Sequence, residues 1–280
     1  MKVLIANIED VMREAAARWT LLTYFILSTI FIATFAIAVN LDVVDGAIAG
    51  AKLFGNEIEG RGANLEQVVL IFEGGFSGFL FIISTLMAVF ATAHLVPRMQ
   101  DKGTVDLYLS RPVSRVRLLL SRYFAGLLLA GSNIFYLLIS MWLIVVWKTH
   151  VVHARFLAAG LILLFVVAVL LAFAFLIGVA TSSTAVSIMT TYAVLLFGIP
   201  LTFHKHWSAI VSKDWQAWAI DGLYWIMPKT LELATGVIAF VGEHEAPREV
   251  AVTYATYLST GLFGLACLIY ASWLFQRKEF

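Results

Sequence analysis

Long apolar blocks alternate with short polar ones along this chain. Six blocks, 19–40, 68–96, 118–147, 156–180, 185–203 and 250–275, are predominantly apolar, each close to or longer than the ~20 residues a helix needs to cross a bilayer core. Trp19 and Tyr24 open the first block with side chains suited to a membrane interface. Residues 1–18 show a different rhythm. Leu4, Ile8, Val11, Met12 and Ala15 recur at helical spacing, with Glu9, Asp10, Arg13 and Glu14 elsewhere. This pattern predicts an amphipathic helix lying on the membrane surface.

Two polar segments are long enough to have structure of their own. Residues 41–67 carry Asp42, Asp45, Glu57, Glu59 and Glu66 against Lys52 and Arg61, and glycines interrupt the run. An acidic external loop with short helical pieces is expected there. Residues 204–249 hold Trp207, Trp215, Trp218, Tyr224 and Trp225, while Asp214, Asp221 and Glu232 break the apolar pieces. Those pieces are too short to span, so helices lying in the outer interface are expected. One of them covers 229–240, with Pro228 in its first turn. The expected fold is all-α: one transmembrane domain over 1–280, with six spans, a surface helix before them and interfacial helices before the last.

Composition agrees with the blocks. Hydrophobic residues make up 61% and charged residues 13%, about half the charge of an ordinary soluble domain. The single cysteine, Cys267, lies inside the last block and has no intrachain partner for a disulfide. Residues 1–10 lack the apolar run of a signal peptide, so the first residues are expected to stay inside.

The distribution of charge orients the chain. Arg98, Lys102, Arg111, Arg115, Arg117 and Arg122 crowd around the central loop 97–117. With Lys2, Arg13, Arg18, Arg277 and Lys278 they mark one side of the membrane. Lys52, Arg61, Lys148, Arg155, Lys205, Lys213, Lys229 and Arg248 mark the other, more thinly and among acids. The positive-inside bias predicts cytoplasmic termini on both ends, as in a bacterial-type inner membrane. No Gly-x-x-x-x-Gly-Lys-Ser/Thr string exists to cradle nucleotide phosphates. The span centres carry almost no ionisable residues, which argues against a gradient-driven carrier. Power from a partner is the better reading, and no nucleic-acid partner is expected.

Gly103-Thr104-Val105-Asp106-Leu107-Tyr108-Leu109-Ser110-Arg111-Pro112-Val113-Ser114-Arg115 resembles the cytoplasmic loop of type-2 ATP-binding cassette (ABC) exporter permeases. Trp225-Ile226-Met227-Pro228-Lys229 and the ending Phe275-Gln276-Arg277-Lys278-Glu279 are similar to further features of that family. The resemblance implies a permease that pairs with a second copy or a related chain. It also implies a separate ATPase, holding ATP and Mg, docked on a coupling helix over 101–110. On that template Val105, Leu107 and Leu109 enter a groove on the ATPase, and Thr104 and Asp106 lie on the same helix. Asp101 opens that docking helix, and Arg98, Lys102, Arg111 and Arg115 supply charge and register. An external accessory protein and the transfer of mechanical work to it form an alternative within the same family. The aromatic-rich spans suit an apolar or amphiphilic cargo, and equally a lipid-facing wall.

Plainer readings stand beside these. The basic loop also serves topology and anionic lipid alone. Glu73, near the outer end of its block, is either a substrate gate or a water-exposed interfacial acid. Gly75-Phe76-Ser77-Gly78 matches the Gly-x-Ser-Gly string of rhomboid-type intramembrane proteases, whose serine needs a histidine base from a later span. Small residues for close helix packing explain that string better, so no enzyme is expected. His150 with His153, and His204 with His206, are outer pairs lacking a neighbouring carboxylate or cysteine to complete a metal set, and no cofactor is expected in the chain.

Overall fold

The computed structural model describes residues 19–44, 47–53, 56–58, 65–100, 114–211, 214–243 and 250–278. Ten helices and three short strands occur among them. In chain order they are α1 (Trp19–Ala38), β1 (Val39–Val44), β2 (Ala47–Leu53), β3 (Asn56–Ile58), α2 (Leu65–Thr92) and α3 (Leu95–Met99). Then follow α4 (Arg115–Thr149), α5 (Ala154–Thr181), α6 (Thr184–Thr202), α7 (His204–Ile210), α8 (Asp214–Ile226), α9 (Thr230–Gly242) and α10 (Tyr254–Arg277). Among the described residues, five stretches are long and apolar enough to cross a membrane: Val69–Met99, Arg115–Thr149, Ala154–Thr181, Thr184–Thr202 and Tyr254–Arg277. The first expected block forms α1, whose apolar stretch Leu22–Ile37 is shorter than these.

α5 is the axis of the fold. It packs against α10, α4, α6, α2 and α9, and Val167, Leu170, Leu171, Ala174 and Phe175 are fully enclosed. With no acid and only Arg155 as a full charge, it can be apolar all round, as a helix surrounded by helices must be. Small residues permit close approach. A Cβ placed on Gly264 of α10 would meet the Val169 backbone of α5 at 3.2 Å, and one on Gly74 of α2 would meet Gly242 Cα of α9 at 3.0 Å. Such contacts supply the packing that lipid cannot drive by exclusion of water. Large exposed apolar side chains such as Leu143, Leu161, Leu258 and Ile269 point away from this core, as a bilayer solvent favours.

α1 leans on α2 through Phe35 and Phe76, whose ring centroids lie 4.5 Å apart. Polar pairs fasten it to α4: Ser28 Oγ donates to Asn133 Oδ1 at 2.9 Å, and Lys148 Nζ donates to the Ala36 carbonyl at 2.8 Å.

Two expectations are corrected. Val39–Val44, Ala47–Leu53 and Asn56–Ile58 form an antiparallel sheet ordered β1-β2-β3 instead of helical pieces. Val39-Asn40-Leu41-Asp42-Val43 alternates with period two and is rich in β-branched residues, which favours strand. A bulge at Asp42/Val43, which pair with Gly50 and Ile48, leaves Ala49 over. The second correction shortens the central loop. α2 breaks at residues 93–94 and α3 continues to Met99, so Pro97 is helical, at a first-turn position where its missing N–H costs no bond. At the far side α4 already begins at Arg115. The surface helix expected over 1–18 lies outside the described residues.

Candidate functional site at the base of the central loop

Most of the expected docking residues, Asp101, Lys102, Thr104, Val105, Asp106, Leu107, Leu109 and Arg111, lie outside the described residues. The structure does place both ends of their loop. Gln100 ends the segment entering it, and Ser114 and Arg115 begin the segment leaving it.

Those ends are bound to one another's neighbours. α5 ends at Ser182 in a left-handed conformation, φ 54°, leaving its last carbonyls without helical partners. Gln100 Nε2 donates to the Gly178 carbonyl at 2.8 Å. Lys278 Nζ donates to the Val179 carbonyl at 2.6 Å, to Gln100 Oε1 at 2.6 Å and to Ser182 Oγ at 2.7 Å. Ser182 Oγ in turn donates to Gln100 Oε1 at 2.9 Å. An ammonium group has three donors, and all three are used. A cation at the C-terminus of α5 also faces the negative end of its dipole.

Arg115 makes the matching contact. Its position at the N-terminus of α4 is the wrong end for a cation, and its Nη1 reaches out to the carbonyls of Gln276 at 3.3 Å and Lys278 at 2.6 Å. The basic end of α10 is thereby held between the entry and the exit of the loop. Burial pushes the Lys278 ammonium below its ordinary value. Arg98, expected among the docking charges, sits in α3 and half-buried.

Glu73 is 2% exposed, so the water-exposed placement does not hold. Its Oε2 lies 3.3 Å from His153 Nδ1, and its Oε1 is buried without a hydrogen-bond partner among the described residues. His153 precedes α5, and its carbonyl accepts from Trp142 Nε1 at 3.1 Å. Ser77 donates to the Gly74 carbonyl at 2.6 Å, which occupies the hydroxyl that the protease comparison requires.

The segment before α9 and α9 itself hold a second buried polar group that residue patterns alone do not reveal. Lys229, 4% exposed, precedes α9 and donates to Ser259 Oγ at 2.5 Å; its Nζ lies 4.5 Å from the Tyr224 ring centroid. Glu232, 3% exposed, accepts from Tyr224 Oη at 2.6 Å and from Thr256 Oγ1 at 2.8 Å. Burial pulls the Lys229 ammonium down, opposed by Glu232, and pushes the Tyr224 phenol up, aided by Glu232. The expected helix 229–240 is therefore realised as α9, one residue later at its start, and α8 lies exposed beside it with no buried residue.

Compared with known proteins, the chain matches no protein-family model and no curated protein.

Proposed function

We propose that this chain is the permease subunit of an ABC exporter. Six helices cross a bacterial-type inner membrane with both termini cytoplasmic, and two such chains pair over separate ATPase subunits. The Gly103–Arg115 string carries the reading, together with the way its base is built. Gln100 and Arg115 flank it and are bonded to the ends of α5 and α10. A displacement of the loop at that base has a stiff polar path into the central helix of the bundle and into the last helix. Closure of the ATPase pair, with ATP and Mg held by those partners, moves the loops and tilts the spans. The chain itself performs no catalysis.

Co-purification from native membranes tests the partnership: recovery with a nucleotide-binding subunit supports it, and hydrolytic activity of this chain alone opposes it. In the reconstituted complex, Asp106→Ala and Arg111→Ala leave membrane insertion intact and uncouple ATP hydrolysis from transport. Unaltered coupling in both variants overturns the docking role of the loop.

A further inference from the structure

α1, the α2–α3 pair and α6 border a half-open cavity of about 630 Å³. Leu27, Met87, Phe90 and Ile188 make its body apolar, while Tyr24 and Arg98 also line it. Its two ends differ. Arg98 and Thr184 lie at the loop end of their helices, two residues from Gln100 and Ser182 of the polar clamp. Tyr192 lies two turns further along α6, about 12 Å by helical rise, where its hydroxyl donates to the Leu86 carbonyl at 2.7 Å and ties α6 to α2. Arg98 Nη1 is buried and has no acceptor among the described residues, and neither has Tyr24 Oη an acceptor or donor there. A buried guanidinium nitrogen without an acceptor is costly. An anionic oxygen is the group that relieves it most strongly.

We propose that this cavity binds an amphiphile with a single alkyl chain and an anionic head. The head, carboxylate or phosphate, pairs with the half-buried Arg98 at the loop end, and the chain lies among Leu27, Met87, Phe90 and Ile188. The inference gives the permease reading a ligand class and rests on it only for movement of that ligand. Binding at equilibrium needs no ATPase, so failure of this site and failure of the ATPase partnership are told apart.

The test uses the full chain in phosphatidylcholine nanodiscs, with empty nanodiscs as baseline, titrated with radiolabelled decanoate, decyl phosphate and decylamine. The two anions are expected to saturate one site per chain, with decylamine about tenfold weaker or worse, as loss of a charge-assisted bond implies. Preference for decanoate points to free fatty acids as the source, and preference for decyl phosphate to lysophospholipid-type heads. Arg98→Gln lowers anion affinity about tenfold and leaves decylamine unchanged; Met87→Trp, at a half-buried wall, weakens both anions by filling the cavity. The proposal is overturned by no saturable binding above empty nanodiscs, by equal affinity for all three probes, or by an Arg98→Gln protein that keeps the wild-type preference. It is overturned as well if binding appears only after dilution to monomers, because a second copy then fills the cavity.

Discussion

Lys278 Nζ donates to Gln100 Oε1 at 2.6 Å, joining residues 178 positions apart. Through this bond the end of α10 meets the entry to the central loop beneath the C-terminus of α5. Replacing Lys278 by Met takes a donor from three acceptors at once, of which Gln100 Oε1 keeps Ser182 Oγ. We expect a loss of about 1.5–3 kcal/mol, the range for hydrogen bonds to a charged group, measured by denaturant unfolding of the full chain in mixed micelles. Gln276→Ala is the control, since only its backbone carbonyl is engaged by Arg115, and it should stay within about 0.5 kcal/mol of wild type.

Glu73, buried, and His153, half-buried, are paired at 3.3 Å. His153→Ala leaves the buried Glu73 side chain without its hydrogen-bond partner, at an expected cost of about 1–3 kcal/mol. Glu73→Leu in the same chain removes the stranded polar group and restores part of that loss. A double-mutant cycle on thermal unfolding measures this, and simple additivity of the two changes would speak against the pairing.

Gly74 and Gly75 are neighbours with opposite tolerance. A Cβ on Gly74 meets the Gly242 backbone, whereas one on Gly75 meets nothing within 4 Å. Gly74→Val should therefore push α2 from α9 and cost about 1–3 kcal/mol, while Gly75→Ala gains slightly from helix propensity. Parallel melting curves of the two variants decide the point.

Lys229 gives α8 and α9 a dependence on alkaline pH. Its pKa is lowered in the folded chain by burial, with Glu232 opposing. The folded state thus releases the proton first, and the unfolded state binds more protons between the lowered value and the ordinary ~10.4. Stability contributed by this group rises with pH through that window and is reduced below it. Lys229→Met should flatten this rise in unfolding measurements from neutral to alkaline pH. In Glu232→Gln, which removes the opposing charge, the rise should begin at lower pH.

Hydropathy made the helices legible because an apolar block of span length has few alternatives. α5, with Val166 to Phe175 almost wholly apolar, is the clearest case. The strand β1 was hidden by its brevity: Val39 to Val44 is six residues at the end of an apolar helix, where period two and period 3.6 are hard to separate. The clamp had no local signature at all. Gln100, Ser182 and Lys278 are ordinary polar residues, and the bond from Ser182 to Gln100 already spans 82 positions. Lys278 showed itself in sequence only as part of a basic ending, and Arg115 only as part of the string that resembles a docking loop. For Glu73, hydropathy located the acid near a block end. Its buried place beside His153 could not be read locally, because His153 arrives from a polar connection between two later blocks.

The clamp also bears on how the protein is made. During synthesis Gln100 emerges 178 residues ahead of Lys278, an interval of about 10–35 s at common translation rates. Throughout that time the entry to the central loop lacks its cationic partner, although the helices around it are already inserting. The base of the loop is thus completed only after α10 has been made. A chain stalled before Lys278 would carry its apolar helices in the bilayer with an open seam at the loop, a difference that membrane quality-control proteases are equipped to find.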